Sequence, residues 1–244
     1  MPPSPDLQCA DTIAVIIPTF NEESSLSSIL EGLLSGGTSN RFDEIVVADG
    51  ASSDGTGSVA AQHPAVTLVR GPRGRGRQIN AGIAASKSRF IVVVHADTHL
   101  PQGAAAAVRT TLAHASVAGG CFRLRYDAAS RALKTYEFFS RFETSWTTFG
   151  DQGFFFRRAD YDAIGGLPDW PLFEDVELRR RLKTRGRFVK LAQSVQTSAR
   201  RLHQRGHVRG QVLNAMLLCG YWSGVSVERL AAIYDADRQS ARDR

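Results

Sequence analysis

Short β-branched runs alternate with helically spaced apolar residues through the first hundred positions, and this alternation limits the fold more than any other feature of the chain. Positions 13–17, 45–48, 66–69 and 90–94 read as strands. Between the first two, Leu26, Ile29, Leu30, Leu33 and Leu34 recur at i, i+3, i+4, i+7 and i+8, the stripe of one helix face, closed by Gly36 and Gly37. Ser53-Asp54-Gly55-Thr56 reads as the turn into a second helix, and Pro101 as the opening of an alanine-rich one. Strands separated by helices need crossover connections, so the expected fold class is α/β: a Rossmann-like, mostly parallel sheet flanked by helices.

The second half changes character. A strand is expected near 121–126, an aromatic-bearing helix over 130–146, a strand at 152–156 and a helix over 174–185 whose acidic first turn and basic last turn suit the macrodipole. Beyond Arg200 come a basic loop, an apolar helix over 207–220 and a shorter helix over 227–234. With 244 residues there is material for a substantial core. The expected division is a flexible 1–11, a catalytic domain over 12–201 with halves at 12–100 and 101–201, and a C-terminal helical appendage over 202–244.

The formal charge of +6 comes mostly from arginine, since Lys87, Lys134, Lys183 and Lys190 are the lysines. Guanidinium suits diphosphate, phospholipid or nucleic acid, although most such residues simply solvate a surface. Cys9, Cys121 and Cys219 lack the spacing of a zinc site or disulfide framework, which fits a reducing cytoplasm. Met1-Pro2-Pro3-Ser4-Pro5-Asp6 lacks the basic and apolar regions of a signal peptide, and the apolar stretch 212–225 is too short to span a bilayer. The expected location is cytoplasmic, with peripheral contact at the inner membrane face left open: Arg200, Arg201, Arg205 and Arg209 flank that apolar helix. Packing on the catalytic domain or on a second copy is an equal reading.

Ligands of open α/β sheets lie at the carboxyl ends of the strands, and each strand here delivers polar groups there. The first ends in Pro18-Thr19-Phe20-Asn21-Glu22 and the second in Asp49 to Thr56. Asn21 alone reads equally as a helix cap and Asp54 as a turn former; Asp49 has no turn role that Gly50 leaves open. From Arg70 to Gly82, arginines alternate with glycines just before a helix, a setting for phosphate that lacks the aromatics single-stranded nucleic acid would need. In His95-Ala96-Asp97-Thr98-His99, an extended chain would put His95, Asp97 and His99 on one face, as polar strand-end groups or as ligands of magnesium or manganese.

In their order these segments resemble the family-2 glycosyltransferases of the GT-A fold. The resemblance runs from Ile13 to Arg201 through Pro18 to Glu22, Asp49 to Thr56, Arg77 to Gly82, His95-Ala96-Asp97, Gly150-Asp151-Gln152-Gly153 and Phe173-Glu174-Asp175. It implies an inverting transferase that moves a sugar from a nucleotide-diphosphate donor, UDP-sugar being the commoner, to an unidentified acceptor, lipid or small molecule. Pro18, Thr19, Glu22, Asp49, Arg77, Asn80, His95 and Arg201 would serve the donor, and Asp97 would bind Mg2+ or Mn2+. The first acid of the family's Asp-x-Asp motif is His95 here, a departure at the ribose contact. Asp175, with Glu174, would be catalytic, Asp175 as general base; their other reading is a plain helix start. Asp151, Gln152 and Trp170 would line the acceptor side, while core packing is favoured for Trp146. A sugar nucleotidylyltransferase is the first alternative, but Pro18 to Glu22 is no glycine-rich nucleotide loop. A basic nucleic-acid-binding module is the second; the expectation is no nucleic-acid partner.

Overall fold

The structure, a computed structural model, describes residues 11–36, 41–128, 130–198 and 207–242. Strands β1 (Ile13–Thr19), β2 (Glu44–Asp49), β3 (Val66–Arg70) and β4 (Phe90–Val93) alternate with helices α1 (Glu23–Leu34), α2 (Thr56–Ala61) and α3 (Arg75–Ala85). A short β5 (Thr98–His99) and α4 (Ala104–Ala113) lead to β6 (Val117–Tyr126), α5 (Arg131–Phe139), β7 (Phe154–Arg157), α6 (Arg158–Ala163), α7 (Glu174–Leu182) and β8 (Arg187–Thr197). Helices α8 (His207–Trp222) and α9 (Val227–Arg242) follow. All the described strands join one sheet in the order β3-β2-β1-β4-β7-β6-β8-β5. The β1–β4 half is parallel, β7 runs antiparallel to both β4 and β6, and β8 returns parallel to β6.

Period-two alternation divides the core between the two faces of the sheet. Ile13, Val15, Ile17, Val47, Val92 and Phe155 meet Leu26, Ile29, Leu30 and Leu33 of α1 and Val108 and Leu112 of α4. Ala14, Ile16, Val46, Ile91, Phe154 and Phe156 meet Ile79 and Ile83 of α3 and Leu178 and Leu182 of α7. A strand covered on both faces must read as a continuous apolar run, which is how β1 and β4 read. Leu34, last of the expected stripe, is exposed as α1 ends.

The second half corrects several expectations. The 130–146 helix stops at Phe139: Ser130 caps it by accepting the Leu133 N–H at 3.2 Å, and Ser140 turns inward, accepting the Leu124 N–H at 3.1 Å. Turns then carry the chain to Gly150, pinned by Lys190 Nζ donating to Phe142 O at 2.9 Å and by Gln152 Nε2 donating to Thr147 O at 2.6 Å. Trp146, expected in the core, is 54% exposed on these turns. The 152–156 strand begins only at Phe154, after a 3-10 turn at Gly150–Gln152. Helix α7 ends at Leu182, short of 185, and α9 runs past 234 to Arg242.

The close approach of β6 to β8 and β7 depends on Gly120. A Cβ there would lie 2.4 Å from Val189 O and 2.5 Å from Phe155 Cζ, a backbone atom and a buried ring. Gly120→Ala is therefore expected to destabilise the fold by about 1–3 kcal/mol through overpacking. Urea unfolding checks this: the midpoint drops, and an unchanged midpoint refutes the tight contact.

Candidate active site

The carboxyl ends of the parallel strands β1, β2 and β4 lie along one edge of the sheet, where the chain turns away from each strand. The tips of β1 and β2 are laced together. Asn21 N–H donates to Ser52 Oγ and Ser53 N–H to Asn21 Oδ1, both at 2.9 Å, and Glu22 N–H donates to Thr56 Oγ1 at 2.9 Å. Asn21 is thus a loop clasp in left-handed backbone (φ 54°), not the cap of α1, and Asp54 is the expected turn former, accepting the Thr56 N–H. Gln78 reaches from α3 to donate to Thr19 O and Ala48 O, strapping Pro18-Thr19 to the neighbouring strand. Asp49 is buried and accepts from the Ser52 N–H and hydroxyl; Glu22 is buried beside it in the same loop pair. Thr19 Oγ1 is buried with no hydrogen-bond partner among the described residues.

The arginine–glycine loop is spoken for by protein partners. Arg73 lies 4.3 Å over the Phe20 ring, Arg75 pairs with the buried Glu174 at 2.8 Å, and Arg77 makes a two-pronged pair with Asp169, both ends exposed. Asn80 clasps the 161–167 segment, donating to Leu167 O at 2.9 Å and accepting its N–H at 3.1 Å. Gly76 sits so close to Pro168 O that a Cβ would meet it at 2.6 Å. The loop's guanidinium groups therefore join the first half of the chain to the 167–175 segment.

After β4 the chain does not stay extended. Val94 and His95 leave the strand, Ala96-Asp97 form a turn closed by Thr98 N–H donating to His95 O at 3.1 Å, and His99 lands on β5 with its ring toward Gly32 of α1. The expected common face of His95, Asp97 and His99 is lost, because the alternation that predicts it needs a strand. Among the described residues no three His, Cys, Asp or Glu side chains group as metal ligands. Asp97 is stitched instead to the end of β8: its carbonyl accepts the Ser198 N–H at 3.2 Å, and Thr98 and Thr197 hydroxyls lie 3.1 Å apart. Arg201, expected to close on the donor, lies outside the described residues, as do Arg200 and Arg205.

Opposite these tips stands the start of α7. Phe173, the residue before it, holds a left-handed conformation (φ 64°) that is costly for a bulky side chain, and its ring packs 5.2 Å from Tyr221 of α8. The bend aims Asp175 at Gly150: Asp175 Oδ2 accepts the Gly150 N–H at 2.6 Å and Oδ1 the Val176 N–H at 2.8 Å. Glu174 points the other way, into its pair with Arg75; burial pushes its carboxyl up and the guanidinium pulls it back. Gln152 is fully buried between Thr147 and Cys121, bracing the turn from inside. Trp170 is half-buried in an aromatic group with Tyr221, whose hydroxyl donates to Glu177 at 3.1 Å. Helix α8 thus packs on the catalytic domain, as one of the readings of the C-terminal segment has it.

Asp151 presents a buried Oδ1 with no hydrogen-bond partner among the described residues. Burial, then the carboxylates of Asp175 and Asp97, push its carboxyl up to about 7. The folded protein therefore keeps a proton that the unfolded chain, with an ordinary value of 3.8, releases earlier, so this residue erodes stability as pH rises from about 4 to 7. Asp151→Asn is expected to flatten that decline. Thermal melts at pH 5 and pH 8 in metal-free buffer check it; parallel wild-type and variant curves would contradict it.

The strand order, with a parallel half, an antiparallel β7 and helices on both faces, is that of a GT-A domain. Solved structures share the fold. S. aureus TarS 1-349 superposes with a TM-score of 0.63 at 15% identity, over 83% of this chain and 66% of that one. A mannosyltransferase of Pyrobaculum calidifontis, in complex with GDP-Man and Mn2+, does so with a TM-score of 0.59 at 21% identity, over 86% and 67%. The family model for Glycosyl transferase family 2 matches residues 14–164, more than half of the chain, and the chain belongs to that family. Uncharacterized glycosyltransferases of Mycobacterium tuberculosis and Mycobacterium bovis are each 32% identical over 93 residues, 38% of this chain. The match spans 40% of the length of these curated relatives.

Proposed function

We propose that this chain is an inverting glycosyltransferase that moves a sugar from a nucleotide-diphosphate donor, UDP-sugar first among the candidates, to an acceptor hydroxyl on a lipid or small molecule. The observation that carries the reading is that Asp175, held by the Gly150 N–H, and Asp97, on the turn after β4, both act electrostatically on the buried Asp151. Residues 12–100 form the donor half, 101–201 the acceptor half and 202–244 the appendage, and the enzyme works in the cytoplasm.

In the reaction the acceptor oxygen bonds to the anomeric carbon as the carbon–oxygen bond to the diphosphate breaks. The hydroxyl proton passes to the Asp175 carboxylate, and the bonding pair leaves with the nucleoside diphosphate. A single displacement inverts the anomeric centre and needs no covalent intermediate. Glu22 and Asp49 orient the nucleoside, with Thr19 and Pro18 beneath it. Glu174 acts on Arg75 and so sets the helix start that aims Asp175, a positioning role.

A divalent cation fits this donor set only with help. Asp97 would supply a carboxylate, beside a buried Asp151 whose carboxyl is raised first by burial and then by the charges of Asp175 and Asp97, and donor phosphate oxygens would complete the ligand set, since no metal-ligand cluster stands among the described residues. When bound, Mg2+ or Mn2+ would neutralise the departing diphosphate. Two complexed neighbours lend support: one TarS structure holds UDP-GlcNAc, and the P. calidifontis enzyme holds GDP-Man and Mn2+. A thermal-shift panel of UDP- and GDP-sugars with and without manganese tests the reading. One donor together with metal is expected to raise the melting temperature by mass action; no shift with any of them would remove the donor assignment.

A further inference from the structure

Helix α5 wears two faces. Leu133, Tyr136 and Glu137 turn toward the sheet, while Arg131, Lys134 and Phe138 lie on the outer side of the helix and Arg141 and Phe142 are exposed on the turn just after it. Phe138, Phe139 and Phe142 are 49%, 50% and 49% exposed, and Trp146, on the turns that follow, is 54% exposed. The three phenyl rings pack edge to face, at 5.7 and 5.8 Å, and Arg141 lies 5.3 Å from the Phe138 ring. Nothing about their position is loose, because Lys190, itself half-buried with its amine pushed downward by burial, ties the Phe142 and Thr147 carbonyls to β8. A chain that holds four large aromatics outward on a braced turn, rather than folding them in, is presenting them.

We propose that this aromatic knuckle docks on an anionic lipid bilayer. Charge decides the occupant. Arg131, Lys134 and Arg141 are exposed beside the rings and have no acidic partner among the described residues. The nearby acids are engaged elsewhere: Glu137 accepts the Tyr126 N–H at 2.8 Å, and Glu143 pairs with Arg179 and, at 3.3 Å, with Lys183. A second copy meeting this face about a two-fold axis would set cation against cation. Anionic headgroups complement the cations, and Phe and Trp suit the headgroup–acyl boundary. No helix among the described residues is long and apolar enough to cross a membrane, so the contact is peripheral. The same turns run on to Gly150, whose N–H Asp175 accepts, so a docked bilayer would contact the segment that holds Asp175 and could serve as a source of lipid-borne acceptor hydroxyls; that consequence rests on the proposed transferase reading, whereas the docking does not.

Flotation of the full chain with vesicles of phosphatidylcholine, alone or mixed with phosphatidylglycerol, tests the proposal without any donor. Binding is expected with the anionic vesicles and little with the neutral ones. Phe138→Ser together with Trp146→Ser is expected to lower it by tenfold or more, and removing Lys134 or Arg141 by about fivefold each. Because the serine pair could disturb the turn, Trp146→Phe gives a second readout: brominated lipid quenches wild-type tryptophan fluorescence, and the variant loses most of that quenching. Wild-type indifference to anionic vesicles, undiminished binding by the serine pair, or a dimer that the serine pair converts to monomer would overturn it.

Discussion

Asp175→Asn is expected to slow transfer by about 10²–10⁴-fold while leaving donor affinity unchanged. The substitution keeps the shape and can still accept the Gly150 N–H through its carbonyl oxygen, giving up only the bond from the Val176 N–H, so the turn at 150 holds. What it removes is the basicity that takes the acceptor proton. The asymmetry separates the proposed role from the plain one: a residue that merely begins a helix would change stability by a few tenths to one kcal/mol and leave turnover intact. Steady-state kinetics beside donor titration distinguish the two. Retained transfer removes Asp175 as the base, and lost affinity moves it to donor binding.

Asp97→Ala is expected to lower donor turnover about a hundredfold or more and to abolish the difference between metal-supplied and chelator-treated protein. The geometry makes the second half of that expectation the sharper one. If Asp97 is the protein's carboxylate at the cation, then, since no cluster among the described residues completes a metal site, binding of cation and donor should be mutually dependent in the wild type and independent in the variant. The fold should survive, since the Asp97 carbonyl and the Thr98–Thr197 contact, which tie the turn to β8, are untouched by the substitution. Turnover of wild type in chelator at the full rate would sink the metal role.

Much of the donor half was legible in the sequence because its strands are buried on both faces and its helices on one. β1, β2 and β4 show the run, and Leu26 to Leu33 the stripe, that such burial demands. The second half was read less well for physical reasons. β8 carries Lys190, Gln193, Ser194 and Gln196 and gives no alternation, since its partners are strands near the sheet margin, and it escaped notice. The α5 segment kept helical spacing beyond Phe139, but Ser140 and Lys190 capture its backbone, a tertiary effect no local pattern contains.

At the site, sequence position singled out Asp97, Asp151 and Asp175, which bear on one another electrostatically, but mistook how Asp97 gets there. Alternation assumed strand where a turn stands, and with it a face shared with His99. Arg75 and Asp169 went unremarked, although the arginine–glycine loop was singled out; pairs separated by 99 and 92 positions leave no local signal. Arg77 and Asn80 are engaged in protein contacts, so a donor role requires Arg77 to leave or share Asp169, or Asn80 to leave or share Leu167.

The central claim is attack at the anomeric carbon, and the identity of the released nucleotide tests it most directly. Incubated with its preferred nucleotide sugar and manganese, the protein should release nucleoside diphosphate, with an inverted anomeric configuration in the transferred or hydrolysed sugar. Nucleoside monophosphate with sugar-1-phosphate, or nucleoside diphosphate with a retained anomer, would contradict the account.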